Sequence, residues 1–169
     1  LRKKRFLSEL SDFPEGTMPV GRLDEKSEGL LLMTTDGKWS DDINRSGIEK
    51  QYLVQLDGLV TTDAIDKLSE GVVIGLFGKK YETLPCDVDY LKEEPILPEA
   101  SAALRIGRHR PTSWISMVIK EGKYRQIRKM TAAVGFPTVR LVRIRIGDIS
   151  LGQMKPTQVL KITPTLLSS

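Results

Sequence analysis

The sequence is poor in the residues that hold metals or crosslink a fold. Its 169 residues include one cysteine, Cys86, and one histidine, His109. A single cysteine excludes an intramolecular disulfide and a multi-cysteine metal site, and suits a reducing compartment such as the cytoplasm. With only one histidine, no zinc site of the usual Cys/His kind is expected. No apolar run approaches the roughly 20 residues that cross a bilayer. The opening Leu1-Arg2-Lys3-Lys4-Arg5 lacks the apolar core of a signal peptide, so no membrane partner is expected. A Gly-rich phosphate loop and a supported Ser/His/Asp set are also missing, which leaves no motif for a cofactor. Cys86, between Pro85 and Asp87, reads as a small core residue.

What is present is a folded composition, 40% hydrophobic and 28% charged. The length suits one domain over residues 1–169, or two small lobes with a real core, and the chain reads as a monomer. The net charge of +4 hides a strong asymmetry. From Ser101 to Arg145 eleven basic residues face one acid, Glu121, so this segment carries +10 and the remainder −6. Eight of the eleven are arginine, the side chain suited to two-pronged phosphate recognition. A basic surface kept for solubility is one reading; a polyanion partner, most simply nucleic acid, is favoured. Arg105, Arg108 and Arg110 form a basic loop around His109, itself read as a phosphate contact rather than a general base.

Periodicity gives strands mixed with a few helices. Leu30 to Thr34 reads as a buried strand ended by the turn Thr35-Asp36-Gly37. Lys38 to Arg45 reads as a short helix. Lys50 to Leu56 alternates, with Tyr52, Val54 and Leu56 on one face. A helix capped by Thr61 or Thr62 stops at Gly71. Val72 to Ile74 and Leu84 to Tyr90 are expected strands joined by the turn Gly75-Leu76-Phe77-Gly78. Trp114 to Lys120 reads as a strand covered on both faces. A helix from about Tyr124 to Val134 follows, with Arg125, Arg128 and Lys129 on one face. Val139 to Ile146 reads as a strand with one basic face, and Val159 to Ile162 as a last strand. The order of elements predicts an α+β fold, a mixed and mostly antiparallel sheet with flanking helices, in two sub-lobes around a basic cleft.

Candidate chemistry centres on Gly21-Arg22-Leu23-Asp24, followed by Ser27-Glu28-Gly29-Leu30-Leu31-Leu32. An Arg and an Asp two residues apart beside a buried run are either a salt-bridged turn or a carboxylate held on rigid backbone for catalysis. Two distant segments bear on that choice: Lys50-Gln51-Tyr52-Leu53-Val54 and Glu121-Gly122-Lys123-Tyr124-Arg125-Gln126-Ile127-Arg128-Lys129-Met130. The three together resemble, in order and approximate spacing, the motifs of ribosomal RNA pseudouridine synthases of the RsuA type, from about Gly16 to Gly152. Pro111-Thr112-Ser113-Trp114 and Val134-Gly135-Phe136-Pro137-Thr138 with Arg140-Leu141 resemble its RluE subfamily, whose members modify large-subunit (23S) ribosomal RNA.

The resemblance implies isomerisation of a uridine to pseudouridine without a cofactor. Asp24 matches the nucleophile, which attacks the sugar C1′ or the base; Tyr52 matches the tyrosine packed on the base. Arg128 matches the arginine paired with the nucleophile. Arg22 matches the arginine that helps expel the target nucleotide from its stack, since the reacting bond is inaccessible inside a helix. Arg22, Lys50, Arg105, Arg108, Arg110, Lys123, Arg125 and Lys129 are the candidate RNA contacts, Arg125 facing the RNA backbone while Arg128 faces Asp24. A guanidinium beside a carboxylate nucleophile keeps it ionised and aimed. The family usually carries an N-terminal strand with an Asn-Lys-Pro motif, and none is read here; nor is the S4 RNA-binding module, which the RluE subfamily also lacks. That predicts an open sheet edge.

Two other readings compete. A non-catalytic RNA-binding or ribosome-assembly module would keep the basic surface, but has no need of Asp24 among phosphate-binding groups. A metal-dependent nuclease needs clustered carboxylates; Asp41 and Asp42 are adjacent, but nothing in the sequence brings them near Arg128.

Overall fold

A computed structural model describes residues 7–102, 104, 106, 107 and 109–162. The architecture is α+β, built on a central strand that alternates as its sequence requires. This is β4, Lys50–Asp57, which lies between β8 (Thr112–Ile119) and β9 (Thr138–Ile146) and pairs antiparallel with both. Beyond β8 comes β7 (Asp87–Leu91), and beyond β9 comes β10 (Ile149–Ser150). Two short strands, β1 (Met18–Pro19) and β3 (Met33–Thr34), pair with each other. Between them β2 (Glu28–Gly29) runs parallel to β9. A separate hairpin is made by β5 (Val73–Leu76) and β6 (Lys79–Glu82).

Each helix starts where its sequence allows. Asp36 caps α1 (Gly37–Arg45), its Oδ1 accepting from the backbone N–H groups of Lys38 and Trp39 at 3.0 and 3.2 Å. Thr61 caps α2 (Thr62–Glu70) through Ala64 N, and Gly71 ends it at φ +106°, a conformation that favours glycine. The third helix, α3 (Gln126–Ala133), has no side-chain cap. Arg125 stands at its start in the left-handed region, φ +51°.

Two hydrophobic clusters hold these elements. The larger joins α2, α3 and the hairpin to one face of the sheet through Val54, Leu56, Leu68, Ile115, Met117 and Met130. The smaller gathers Val20, Leu30, Leu32, Ile43, Ile48, Ile146 and Ile149 around α1 and the β1–β3 pair.

Several expectations are corrected. Leu30 to Thr34 is buried at Leu30 and Leu32 but is not one strand: β2 ends at Gly29 and β3 begins at Met33. The turn after β5 is tighter than expected and leads into β6, whose Lys79-Lys80-Tyr81-Glu82 is too polar and exposed to show an alternating pattern. The helix expected from Tyr124 begins at Gln126, because Arg125 breaks the helical dihedrals. Val159 to Ile162 carries no strand.

The uniformly basic face expected of β9 is divided by a β-bulge. Tyr52 pairs with Arg143 and Gln51 with Arg145, so Ile144 is the extra residue. Arg143 therefore lies on the Tyr52 side of the sheet, while Arg145 turns to the other and donates to Gln51 Oε1 and Glu49 Oε2. The charge asymmetry is answered in part by acids from elsewhere in the chain. Asp24 meets Arg125, Glu28 meets Arg140, Glu49 meets Arg145 and Asp57 meets Arg110.

Candidate active site

The loop between β1 and β3 carries Asp24, and four connections to β9 fix its shape. Val20 N–H donates to Leu32 O across its base, continuing the β1–β3 pairing. At its far side Leu30 N–H donates to Arg143 O, and Arg143 returns a bond from Nε to Leu30 O, both at 2.8 Å. Arg143 Nη1 reaches Arg22 O at 3.4 Å. Glu28 clasps Arg140 in two bonds of 2.8 Å, and Pro98 O takes a third. Both arginines are almost fully buried, Arg140 6% and Arg143 4% exposed. Glycine is required at position 29, where φ is +107° and a Cβ would overlap the Arg143 carbonyl oxygen. The tip of the loop turns through Ser27 N–H donating to Asp24 O.

This loop forms one wall of a cleft of about 570 Å³. Arg22, Asp24, Lys50, Tyr52, Lys123, Arg125, Arg128 and Arg143 all line it. The three motifs of the sequence, more than 100 residues apart at their extremes, thus meet at one place. Tyr52 is half-buried, its ring against the larger core and its residue facing the cleft.

Asp24 is addressed by two guanidinium groups. Arg125 Nη1 donates to Asp24 Oδ2 at 3.0 Å. Arg128 Nε lies 3.9 Å from the same oxygen, an ion pair without a hydrogen bond, while its Nη2 donates to Ser27 Oγ at 3.1 Å. The expected division, Arg128 on the carboxylate and Arg125 on the RNA, is therefore altered: Arg125 makes the direct bond. Its left-handed backbone is the kind of local strain that persists where surrounding contacts hold it. Arg128 Nε is buried with no hydrogen-bond partner among the described residues, as is Arg143 Nη2. Burial lowers the Arg128 pKa, the Arg125 charge lowers it further, and Asp24 opposes both. Burial and then Arg143 also lower that of Lys50.

Other candidates fall elsewhere. Arg110 pairs with Asp57 and donates to Gly135 O, at the end of β4 away from Lys50, and does not line the cleft. Lys129 donates to Gly75 O on the hairpin. Arg105 and Arg108 lie outside the described residues. Asp41 is paired with Arg45 on α1, and neither it nor Asp42 lines the cleft. Among the described residues no group of three or more His, Cys, Asp or Glu side chains is placed to hold a metal ion.

Sequence reasoning passed over Ser27, Arg143 and Gln126. The signal for Ser27 was its place inside the Asp24 motif. Gln126, buried, accepts from Lys123 N–H and shapes the turn before α3. Nothing in the sequence separates Arg143 from Arg145; only the bulge does.

The model of the RNA pseudouridylate synthase family matches residues 1–133. The ribosomal large subunit pseudouridine synthase E of Vibrio parahaemolyticus is 41% identical over 82% of the chain, which spans 57% of that relative's length. The enzyme of that name from Xanthomonas campestris is 38% identical over 92% of the chain and 81% of its own length. A crystal structure of a pseudouridylate synthase superposes with a TM-score of 0.74 at 28% identity, covering 95% of this chain and 63% of that one. These similarities agree with the RsuA-type, RluE-like motifs. The placement of a motif aspartate, tyrosine and arginine around one cleft accords with them, and the chain belongs to the RNA pseudouridylate synthase family.

Proposed function

We propose that this protein converts a uridine of large-subunit ribosomal RNA to pseudouridine, with Asp24 as the nucleophile. The observation that carries the reading is the Asp24 carboxylate, 28% exposed at the cleft wall and bonded by Arg125 with Arg128 behind it. A carboxylate so held is oriented by its guanidinium partners in a cleft that Arg22, Lys50, Lys123 and Arg143 also line. A protein that only bound RNA would gain nothing from placing it there. The names of the relatives at 38–41% identity supply the substrate class.

The reaction breaks the N1–C1′ bond of uridine and forms C5–C1′ on the same base, with Asp24 attacking the nucleotide to free the uracil for rotation. The C5 hydrogen leaves as a proton and N1 ends protonated, so the balance needs no redox partner. Tyr52 faces the reacting base, and Arg22, at the loop that carries Asp24, helps expel the target nucleotide from its stack. Lys50, Lys123 and Arg125 offer charge to the backbone phosphates at the cleft mouth.

The test is tritium release from ribosomal RNA labelled at uridine C5. Asp24→Asn is expected to abolish release while RNA binding stays within a few-fold of the parent. Normal release by the variant overturns the assignment.

A further inference from the structure

The hairpin β5–β6 ends in a phenylalanine that the fold does not use. Phe77 is 87% exposed, with a left-handed φ of +48°, and it lines the same cleft as Asp24. Its ring stacks on Tyr124, centroids 5.8 Å apart and planes 27° from parallel. Tyr124 is itself 51% exposed. Two lysines flank the pair. Lys129 Nζ sits 5.1 Å above the Tyr124 ring, and Lys123 Nζ lies 5.2 Å over the ring of Tyr81, on β6.

Solvent-facing aromatic surface of this kind gains nothing from the hydrophobic core, yet it is held firmly. Lys129 Nζ donates to Gly75 O at 2.8 Å, tying α3 to the hairpin. The Tyr81 hydroxyl donates to Glu121 Oε1, and Leu84 N–H donates to Glu121 Oε2 at 2.7 Å. The hairpin is thus latched to the motif segment on both sides of Tyr124. A rigid, exposed π-surface beside ammonium groups fits a base followed by a phosphate: the base stacks, and the lysines meet the backbone. The same charge disfavours a cationic partner.

We propose that Phe77 and Tyr124 form a stacking platform for an unpaired nucleobase of the RNA, next to the nucleotide that enters the cleft. The assignment rests on the reading that the cleft takes RNA, and brings in Phe77, which lies outside all three sequence motifs. Stacking tolerates any base, so the platform selects for single-stranded character at that position rather than for sequence.

The experiment uses the full chain and a short single-stranded oligouridylate containing one 2-aminopurine and a terminal fluorescein. Binding is read from fluorescein anisotropy and stacking from 2-aminopurine quenching. The parent is expected to quench the analogue. Phe77→Trp is expected to keep the quenching, and Phe77→Leu to lose most of it and bind roughly fivefold or more weakly. Phe77 lies in solvent, so folding is checked simply by circular dichroism, with Tyr124→Leu as a second variant. Quenching unchanged in both leucine variants overturns the platform, whatever the tritium assay shows. Quenching lost in both, with no tritium release by the parent, leaves the platform standing and removes the isomerase reading instead.

Discussion

Arg125 bonds Asp24 at 3.0 Å from a left-handed backbone position, and Arg128 waits 3.9 Å from the same oxygen, its Nε without a hydrogen bond among the described residues. The two guanidinium groups compete for one acceptor. Arg128 is the more enclosed, its side chain 15% exposed against 37% for Arg125. A shift of Asp24 by about one ångström toward Arg128 would satisfy the orphaned N–H and free Arg125 for a phosphate.

That arrangement predicts unequal consequences. Arg128→Lys is expected to cut single-turnover tritium release about 100-fold or more, because a compact ammonium cannot reproduce the planar fork that bonds Ser27 while facing Asp24. Arg125→Lys is expected to cost about tenfold, mostly in KM. The double variant should lose less than the product of the two, since both act through one oxygen. Equal and multiplicative losses would show two independent roles.

The pair of Glu28 and Arg140 gives a prediction on stability alone. Glu28→Ala leaves a guanidinium in the sheet with, among the described residues, only Pro98 O as partner. Stranding a buried charge costs about 3–5 kcal/mol. Glu28 is itself 34% exposed, so water offsets part of the loss and about 2 kcal/mol is expected. Thermal unfolding should fall by about 4–8 °C, with Arg140→Met milder than Glu28→Ala because it removes the stranded charge. A Glu28→Ala melting point equal to the parent's would make the pair a surface ornament.

Cys86 sets an alkaline limit. Its Sγ–H donates to Leu68 O at 3.3 Å, and burial, with help from Asp87 and Glu121, pushes its pKa up to about 11. Above the ordinary thiol value near 9 the unfolded chain releases a proton that the folded chain keeps. Stability from this group is therefore unchanged below pH 9 and falls as the pH rises toward 11. Urea titrations should show the parent losing about 1 kcal/mol more than Cys86→Ala between pH 8 and 10. At pH 7 a thiol reagent should label Cys86 more slowly than a free thiol, because the raised pKa leaves little thiolate to react.

Much of this was written in local pattern. The alternation of Tyr52, Val54 and Leu56, the Thr61 cap with its Gly71 stop, and the apolar stripe of Ile127 and Met130 each follow from nearest neighbours, and the structure repeats them. The three motifs meeting in one cleft was legible through resemblance. What local pattern could not carry was the work of β9. Arg140, Arg143 and Arg145 look alike in sequence, yet a single bulge sends one toward the cleft and another to the opposite face. Nor does a two-residue parallel strand such as β2 leave any periodicity to read. Arg125 was read as helical because its neighbours are, and its dihedrals answer to Asp24, 101 residues away.

The parallel latch of β2 on β9 also orders events in time. Arg143 and Leu30, which close it, are separated by 113 residues. A chain made from its N-terminus can pair β1 with β3 early, but the far side of the Asp24 loop is fastened only once β9 has been made. Products ending before Arg143 would carry all three motifs yet lack the strand that fastens the Asp24 loop, so the cleft is completed late and all at once.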